Sequence, residues 1–289
     1  MNDYTEPMHF RITNEKEYES TKALWLECFE EDDRAFVDLY YAKRSRPEYV
    51  LAAFEDGSGE AVSMLHMIPV KMRFCGRAAS VCLIAGVCTK PDRRRRGICA
   101  KLMYEAFGIM RGRGFEAAVL QPFDTAFYER FGFRTFIVRR KVTLEARAFE
   151  KLRKPAELIE ARPEHLASLY SDYTGRFDGC TVRDANCFSY FIEEYSAEIA
   201  RLSVSRNACC AGYAVPDEGA FIVSELFGKS GEELLSVLPE GFDKYVFPIP
   251  LWESVPEGGI AAYEDFSMIK PLSDSIRVEE ERCFGFDMY

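Results

Sequence analysis

Four consecutive arginines and a glycine, Arg93–Gly97, lie between an apolar segment and an amphipathic one. The apolar segment, Ala79–Cys88, predicts a strand that ends before Pro91. The segment from Gly97 predicts a helix, since apolar residues recur on one face at Ile98, Leu102, Ala106 and Ile109. A loop that leads into a helix N-terminus offers backbone N–H groups and a favourable helix dipole to an anion. We therefore expect an α/β fold with an anion-binding loop at this position.

The arginine run by itself also fits a solvated basic patch or a nucleic-acid contact. Its position between a strand and a helix favours a phosphate cradle instead. Gly97 lets the backbone approach a phosphate without a Cβ, and guanidinium groups bind phosphate oxygens. The sequence contains neither GxxxxGK[ST] nor GxGxxG, which excludes a Walker loop and a dinucleotide fingerprint.

The order of predicted elements in residues 1–145 indicates a mixed, mostly antiparallel sheet flanked by helices, in the α/β (α+β) class. Two helices come first, and a hairpin signal, Asp56–Gly59, separates the first two strands. The predicted helices cover 15–29, 33–41, the segment from Gly97, and 125–131. The predicted strands are Tyr49–Phe54, Ala61–Phe74, Ala79–Cys88, Phe115–Leu120 and Phe133–Leu144.

The second half repeats a similar order after a connector at 146–156. A short strand at Leu158–Glu160 precedes helices at Pro163–Tyr173 and Asp184–Tyr195. Three strands and a helix follow, at Ile199–Ser205, Cys209–Val215, Phe221–Leu226 and Gly231–Leu238. This order predicts two domains, 1–145 and 146–289, related by an internal structural repeat.

Charge is distributed unevenly between these halves. Residues 1–145 hold 23 Lys and Arg against 21 Asp and Glu, whereas residues 146–289 hold 14 against 26. An acidic protein is a poor partner for nucleic-acid phosphates and suits a cationic partner better. Solubility alone also accounts for the acidic excess.

The cysteines and histidines do not form a metal-binding pattern. The ten cysteines include no CxxC pair, and the three histidines are not spaced to join them, so no metal is expected. Most cysteines fit small buried residues in a reducing compartment. Residues 1–11 lack the apolar core of a signal peptide, and no apolar run is long enough to cross a bilayer. These features predict a cytoplasmic protein without a membrane partner.

Two motifs resemble the GNAT acetyltransferase superfamily. Arg94–Cys99 resembles its [QR]-x-x-G-x-[GA] motif, with Cys99 as a departure, and Phe127–Phe133 resembles its aromatic-Tyr-Glu-x-x-Gly-Phe helix end. The arginine run and the Tyr-x-x-Phe-Gly ending are also similar to the tandem Eis-like group. That resemblance implies a catalytic GNAT domain at 1–145 and a degenerate copy at 146–289 that contributes to the acceptor site. From the length of 289 residues, we expect the sterol-carrier-like domain of that group to be missing here.

The resemblance implies that acetyl-CoA is the acyl donor and that an amine attacks it directly. Backbone N–H groups at Val87–Thr89 are expected to stabilise the oxyanion, and Tyr128 to protonate the leaving thiolate. Gln121 stands where the family usually has an asparagine. The residues expected to bind the donor are Val87, Cys88, Thr89, Arg94, Arg95, Arg96, Gly97, Ile98, Cys99, Ala100, Phe123 and Asp124.

Several groups could accept the proton of the attacking amine. The Eis-like resemblance implies the terminal carboxylate of Tyr289, which ends an aromatic tail that could pack inward. Glu27, Glu30 and Asp33 are alternative proton acceptors or contacts for the acceptor amine, or else belong to a solvated acidic face. His66 suits a base by its ordinary pKa, but its apolar strand favours a satisfied core histidine.

The expected acceptor is a cationic small-molecule or peptide amine, with no nucleic acid as partner; self-association into a homo-oligomer stays open. Two other functions fit part of the sequence. One is a non-catalytic acyl-CoA sensor, against which the retained Tyr128 argues. The other is a tRNA-dependent aminoacyl transferase, which the acidic second half disfavours.

Overall fold

Hydrogen bonds between distant segments assemble the chain into two compact units. The structure is a computed structural model that describes residues 8–196 and 200–286. Unit 1 comprises the described residues up to Val70 together with Ser80–Arg134 and Ile269–Ile276. Unit 2 comprises Lys71–Ala79, Thr135–Met268 and the described residues from Arg277 onward.

Unit 1 is built on the strand order β1-β2-β3-β4-β5, with the end of a late strand, β11, beside β5. Its strands are β1 (Met8–Ile12), β2 (Val50–Glu55), β3 (Ala61–Phe74), β4 (Arg77–Thr89) and β5 (Ala117–Leu120), and β11 is Ile260–Pro271. Its helices are α1 (Glu15–Cys28), α2 (Arg34–Lys43), α3 (Ile98–Gly112) and α4 (Thr125–Glu129). β1–β2 and β2–β3 pair antiparallel, whereas β4 and β5 pair in parallel.

Local caps begin the first two helices of unit 1. The Asn14 side chain accepts hydrogen bonds from the N–H groups of Lys16 and Glu17, and the Glu17 carboxylate accepts one from Asn14. This reciprocal capping box satisfies donors that a helix N-terminus otherwise leaves unpaired. The apolar faces of α1 and α2 then pack on β2 and β3 around Trp25, Tyr40 and Phe54. That packing places the end of α1 beside the end of β4.

Unit 2 has the strand order β11-β6-β10-β9-β8-β7. Its strands are β6 (Arg134–Glu145), β7 (Ala200–Val204), β8 (Ala208–Val215), β9 (Ala220–Gly228), β10 (Lys244–Ile249) and most of β11. Its helices are α5 (Ala146–Leu152), α6 (Pro163–Thr174), α7 (Ala185–Glu194) and α8 (Gly231–Ser236). β6–β10, β8–β9 and β7–β8 are antiparallel, and β9–β10 is parallel.

A buried ion pair lies within unit 2. Arg183 Nη1 donates to both carboxylate oxygens of Glu225, at 2.7 and 2.9 Å, and its guanidinium lies 4.9 Å from the ring centroid of Tyr170. Burial opposes the charge of Arg183, but the adjacent Glu225 carboxylate raises its pKa. The Arg183 guanidinium is therefore charged.

The predicted fold class, a mixed and mostly antiparallel sheet flanked by helices, is confirmed. The two units differ from a continuous division between residues 145 and 146. Strand pairing is the reason: Leu272 N–H donates to Glu116 O within unit 1, and Arg73 N–H donates to Cys180 O within unit 2. The assignment of one catalytic and one degenerate GNAT copy stays a prediction.

Several predicted elements differ from the structure. Residues 158–160 form no strand, although Ile159 N–H donates to Val204 O at 2.8 Å. The predicted connector contains helix α5. Strands β1, β10 and β11 were not predicted from the sequence. The first half of β11 is largely exposed, so its side chains lack the alternation that identifies a strand.

Candidate active site

A close contact between α1 and β4 shapes the end of the central strand of unit 1. Gly86 has a φ of +56°, and an ideal Cβ there would overlap Cζ3 of Trp25 and lie 3.0 Å from Cε3. Glycine is needed at this position for its backbone conformation and for the space that the indole occupies. The indole Nε1 donates to Asp32 at 2.7 Å, which holds the ring in place.

Beyond Gly86, β4 continues as the segment predicted to bind the thioester. β4 pairs with β5 over Val81–Leu83, and β4 then runs on to Thr89. The hydroxyl of Ser63 donates to Cys88 O at 2.7 Å and lies 2.8 Å from Thr89 Oγ1. These contacts to β3 hold one edge of Val87–Thr89, and the segment lines a cavity.

The four arginines of the loop have different surroundings. Arg93 is paired with Glu55, and its Nη1 donates to Asp92 at 2.6 Å. Arg94 Nε donates to Thr89 O at 3.1 Å, and Arg96 Nη2 donates to Asp92 O at 3.2 Å. Arg95 is exposed and has a φ of +64°, an uncommon conformation for a residue with a side chain. The loop is thus anchored on both sides of Arg95.

Helix α3 begins at this loop without a side-chain cap. Its N-cap is Gly97, with a φ of +76°, and no side chain accepts from the first turn. The first intrahelical bond is from Lys101 N–H to Gly97 O at 3.1 Å. The N–H groups of Ile98, Cys99 and Ala100 therefore precede the helical ladder and are donors for an anion, with the helix dipole in their favour.

One cavity of about 700 Å³ joins the end of β4 to the N-terminus of α3. Its size is that of a small-molecule site. Ten of the twelve predicted donor-binding residues line it: Val87, Cys88, Thr89, Arg94, Arg95, Gly97, Ile98, Cys99, Ala100 and Phe123. The remaining lining residues, which the sequence did not single out as donor contacts, are Cys28, Phe29, Arg93, Phe127 and Arg130.

The two predicted donor residues outside this lining have local roles. Arg96 is exposed and bonds to Asp92 O. Asp124 is the N-cap of α4, where its carboxylate accepts from Ala126 N–H at 2.9 Å and from Phe127 N–H at 3.4 Å. A role in donor binding stays a prediction for all twelve residues.

The predicted acid, Tyr128, lies in α4 within an aromatic cluster. Its ring centroid is 5.0 Å from that of Phe127, 5.5 Å from Phe123 and 6.1 Å from Phe133. Phe123 and Phe127 line the cavity, whereas Tyr128 itself is 3% exposed. Tyr128 is therefore buried and contacts two rings that line the cavity.

The acidic residues predicted to contact the acceptor lie around the end of α1. Glu27 and Glu30 are exposed and flank the cavity-lining residues Cys28 and Phe29 in sequence. Asp33 caps α2 by accepting from the N–H groups of Ala35 and Phe36. Its carboxylate therefore already has a structural partner.

His66 is a satisfied core histidine, the alternative that the sequence favoured. It is fully buried, with Nδ1 2.8 Å from Ser45 Oγ and Nε2 3.3 Å from Tyr41 Oη. Burial lowers its pKa from 6.5 to about 3. The imidazole is neutral at physiological pH, and it does not line the cavity.

The described part of the C-terminal tail packs inward, within unit 2. Phe284 and Phe286 are 1% and 2% exposed, and Phe284 N–H donates to Asp178 O at 3.0 Å. Tyr289, the predicted base, lies outside the described residues.

All ten cysteines are free. Within 8–196 and 200–286, no three His, Cys, Asp or Glu side chains are grouped to hold a metal ion. No helix among these same residues is long and apolar enough to cross a bilayer.

Comparison with known proteins supports the interpretation of unit 1. Residues 9–136 match the family model of the acetyltransferase (GNAT) domain, which covers the cavity and both sequence motifs. This segment is a GNAT domain. The GNAT family transfers acyl groups, so acyl transfer is the general class of activity that the match supports. No curated protein matches the sequence.

Solved structures share the fold at low sequence identity. A GCN5-related N-acetyltransferase from Anabaena variabilis is similar with a TM-score of 0.76 and 12% identity, over 92% of this chain and 73% of that one. A GCN5-related N-acetyltransferase from Kribbella flavida is similar with a TM-score of 0.71 and 17% identity, over 94% of this chain and 72% of that one. Eis1 from Mycobacterium abscessus is similar with a TM-score of 0.69 and 16% identity, over 92% of this chain and 74% of that one, so the chain shares its fold.

Proposed function

We propose that the protein transfers an acetyl group from acetyl-CoA to the primary amine of a cationic acceptor. The observation that carries this proposal is the cavity that joins the end of β4 to the uncapped N-terminus of α3. Donors at the helix end suit the pyrophosphate, and the adjacent Val87–Thr89 segment suits the pantetheine arm and the thioester. Arg95, Gly97 and Ile98 are the residues assigned to the phosphates.

The chemistry follows from where charge develops. A neutral amine attacks the thioester carbon, the carbonyl oxygen becomes an oxyanion, and backbone N–H groups of Val87–Thr89 stabilise it. The carbon–sulfur bond then breaks, and Tyr128 gives its phenolic proton to the coenzyme A thiolate. The described residues leave the base unassigned; Glu27, Glu30 and the carboxylate of Tyr289 are the groups proposed for it.

Donor binding is tested first. Acetyl-CoA is expected to raise the Tm of the purified chain, and 3′-dephospho-CoA to raise it less if an arginine binds the 3′-phosphate. Thiol release from acetyl-CoA is then followed over a panel of amines. A chain that acetyl-CoA fails to stabilise is not an acyl-CoA protein, and stabilisation without turnover on any amine would favour the sensor.

The assigned acid is tested by Tyr128→Phe, which keeps the ring and removes the proton. We expect kcat to fall about 100-fold or more with little change in donor affinity. Tyr104→Phe is the matched control, since Tyr104 is 60% exposed on α3. Equal turnover in both variants at every pH would remove Tyr128 from the mechanism.

The acceptor class is tested at the end of α1. Glu27→Gln and Glu30→Gln remove charge from exposed carboxylates beside the cavity-lining Cys28 and Phe29. We expect KM to rise for a polyamine and to stay unchanged for an aliphatic monoamine, which carries no further positive charge once the reacting amine is deprotonated. A uniform change for both amines would contradict a role in recognising cationic acceptors.

A further inference from the structure

Three thiols line the cavity assigned to the acyl donor: Cys28 from the end of α1, Cys88 from β4 and Cys99 from α3. Cys88 is 8% exposed, whereas Cys28 and Cys99 are partly exposed. The proposed amine transfer uses none of the three sulfur atoms. A nucleophilic side chain in a cavity that holds a thioester is a candidate for covalent chemistry.

Cys28 and Arg94 converge on one backbone oxygen. Cys28 Sγ donates to Thr89 O at 3.6 Å, and Arg94 Nε donates to the same oxygen at 3.1 Å. The Cys28 thiol is therefore held next to the segment proposed to bind the thioester. The cationic guanidinium lies on the same side of that segment.

The surroundings of Cys28 favour its thiolate. A hydrogen bond with the Cys88 thiol lowers the pKa of Cys28, burial opposes this, and the charge and hydrogen bond of Arg94 lower the pKa further, to about 7. Glu27, on the same helix, raises it. Burial raises the pKa of Cys88 well above its ordinary value and also raises that of Cys99. Cys28 is thus the thiol of the three that ionises near neutral pH, and the thiolate is the nucleophilic form.

We propose that Cys28 is an acyl-acceptor site, at which the chain acylates itself from bound acyl-CoA. The sulfur of the Cys28 thiolate attacks the thioester carbonyl carbon and forms a new carbon–sulfur bond. The bond to the coenzyme A sulfur breaks, and coenzyme A leaves as a thiolate that takes a proton from solvent. One thioester replaces another, so the exchange needs no oxidant or reductant. The site rests on the proposed function, because the donor must occupy this cavity.

The test uses the full chain and acetyl-CoA in the presence of a phosphine reductant. Intact-mass analysis after acid quenching is expected to show one added acetyl group, which neutral hydroxylamine removes. Peptide mapping is expected to place it on Cys28. Its rate of formation should rise with pH with a midpoint near 7, as the thiol ionises.

Cys28→Ser is expected to abolish the hydroxylamine-labile group. Cys187→Ser is the matched control, because Cys187 is an exposed cysteine outside the cavity lining, and it should keep the group. Stabilisation by coenzyme A is measured on both variants to show that they fold and bind the donor.

The outcomes separate this site from the function on which it rests. Stabilisation by coenzyme A without a hydroxylamine-labile group on Cys28 overturns the site and leaves the proposed function standing. A label on Cys88, on Cys99 or on a cysteine outside the cavity also overturns it, as does an adduct with the mass of coenzyme A itself. Absence of both stabilisation and label overturns the two proposals together.

Discussion

The indole of Trp25 occupies the space that a Cβ at position 86 would need. Gly86 stands just before the Val87–Thr89 segment of β4, and Trp25 stands on α1 one turn before the cavity-lining Cys28. This contact therefore ties the helix that carries Cys28 to the strand that carries the proposed oxyanion donors. A change at Gly86 should disturb the geometry of the cavity as well as the packing of the core.

Gly86→Ala is expected to lower the free energy of unfolding by about 2–4 kcal/mol, from steric overlap with Trp25 and from the positive φ. Chemical denaturation gives this value, and the KM for acetyl-CoA is expected to rise. Gly57→Ala is the control, since Gly57 has a φ of +72° and a Cβ placed there would meet nothing within 4 Å. A loss as small as that of the control would show that α1 can move away from β4 at little cost.

The two ends of α3 give a matched test of the anion site. Gly97 and Gly114 have φ values of +76° and +77°, and a Cβ would meet nothing within 4 Å at either. Alanine at each should lower stability by a similar amount, about 1–2 kcal/mol, because a residue with a Cβ is strained in the left-handed conformation. We expect the affinity for coenzyme A to fall about tenfold in Gly97→Ala and to stay unchanged in Gly114→Ala. Titration calorimetry measures both, and equal affinities would place the phosphates elsewhere.

Buried neutral His66 makes stability depend on pH. The unfolded chain binds a proton at His66 below about 6.5, whereas the native chain does so only near 3, so stability falls as the pH drops through this window. At pH 5 the loss from this one group is about 2 kcal/mol relative to pH 8.

His66→Gln removes the titrating group, so its stability should decline less than that of the wild-type chain between pH 8 and pH 5. Urea denaturation gives the free energy of unfolding of both chains at each pH. Contributions from carboxylates that titrate in the same range are common to the two chains and cancel in the comparison. Parallel pH profiles would mean that the native chain binds a proton at His66 over the same pH range as the unfolded chain.

Removing one partner of the Arg183–Glu225 pair should lower stability strongly, whereas replacing both residues together should lower it much less. Glu225→Gln leaves a buried guanidinium without its counter-charge and is expected to cost about 3–5 kcal/mol. The double variant Arg183→Met with Glu225→Met should recover much of that loss. Glu232→Gln, which breaks the exposed pair with Lys154, is the control and should change stability by less than about 1 kcal/mol. If the double variant lost as much free energy of unfolding as the two single variants together, direct coupling of the two charges would be contradicted.

Local chemistry explains which features could be predicted from the sequence. The loop before α3 combines an arginine run, a glycine and a helix start within a few residues, and ten of the twelve residues predicted to bind the donor line one cavity. The main strands of unit 1 were predictable because Ala61–Phe74 and Ala79–Cys88 are apolar and are bounded by turn residues. Strand β11 was missed because its first half is largely exposed. Asp33 and Asp124 were predicted as site residues, and the structure shows that each caps a helix.

The sequence by itself determined the arginine–glycine loop before α3, the aromatic end of α4 and the mixed sheet, because helix starts and hydrophobic periodicity are properties of short segments. Only the tertiary structure decided that Trp25 faces Gly86, that Cys28 joins Cys88 and Arg94 at one cavity, and that the end of β11 belongs with unit 1. These relations join residues far apart in the chain. They depend on how side chains fill space and on which strand edges find hydrogen-bond partners, and neither is encoded in local spacing.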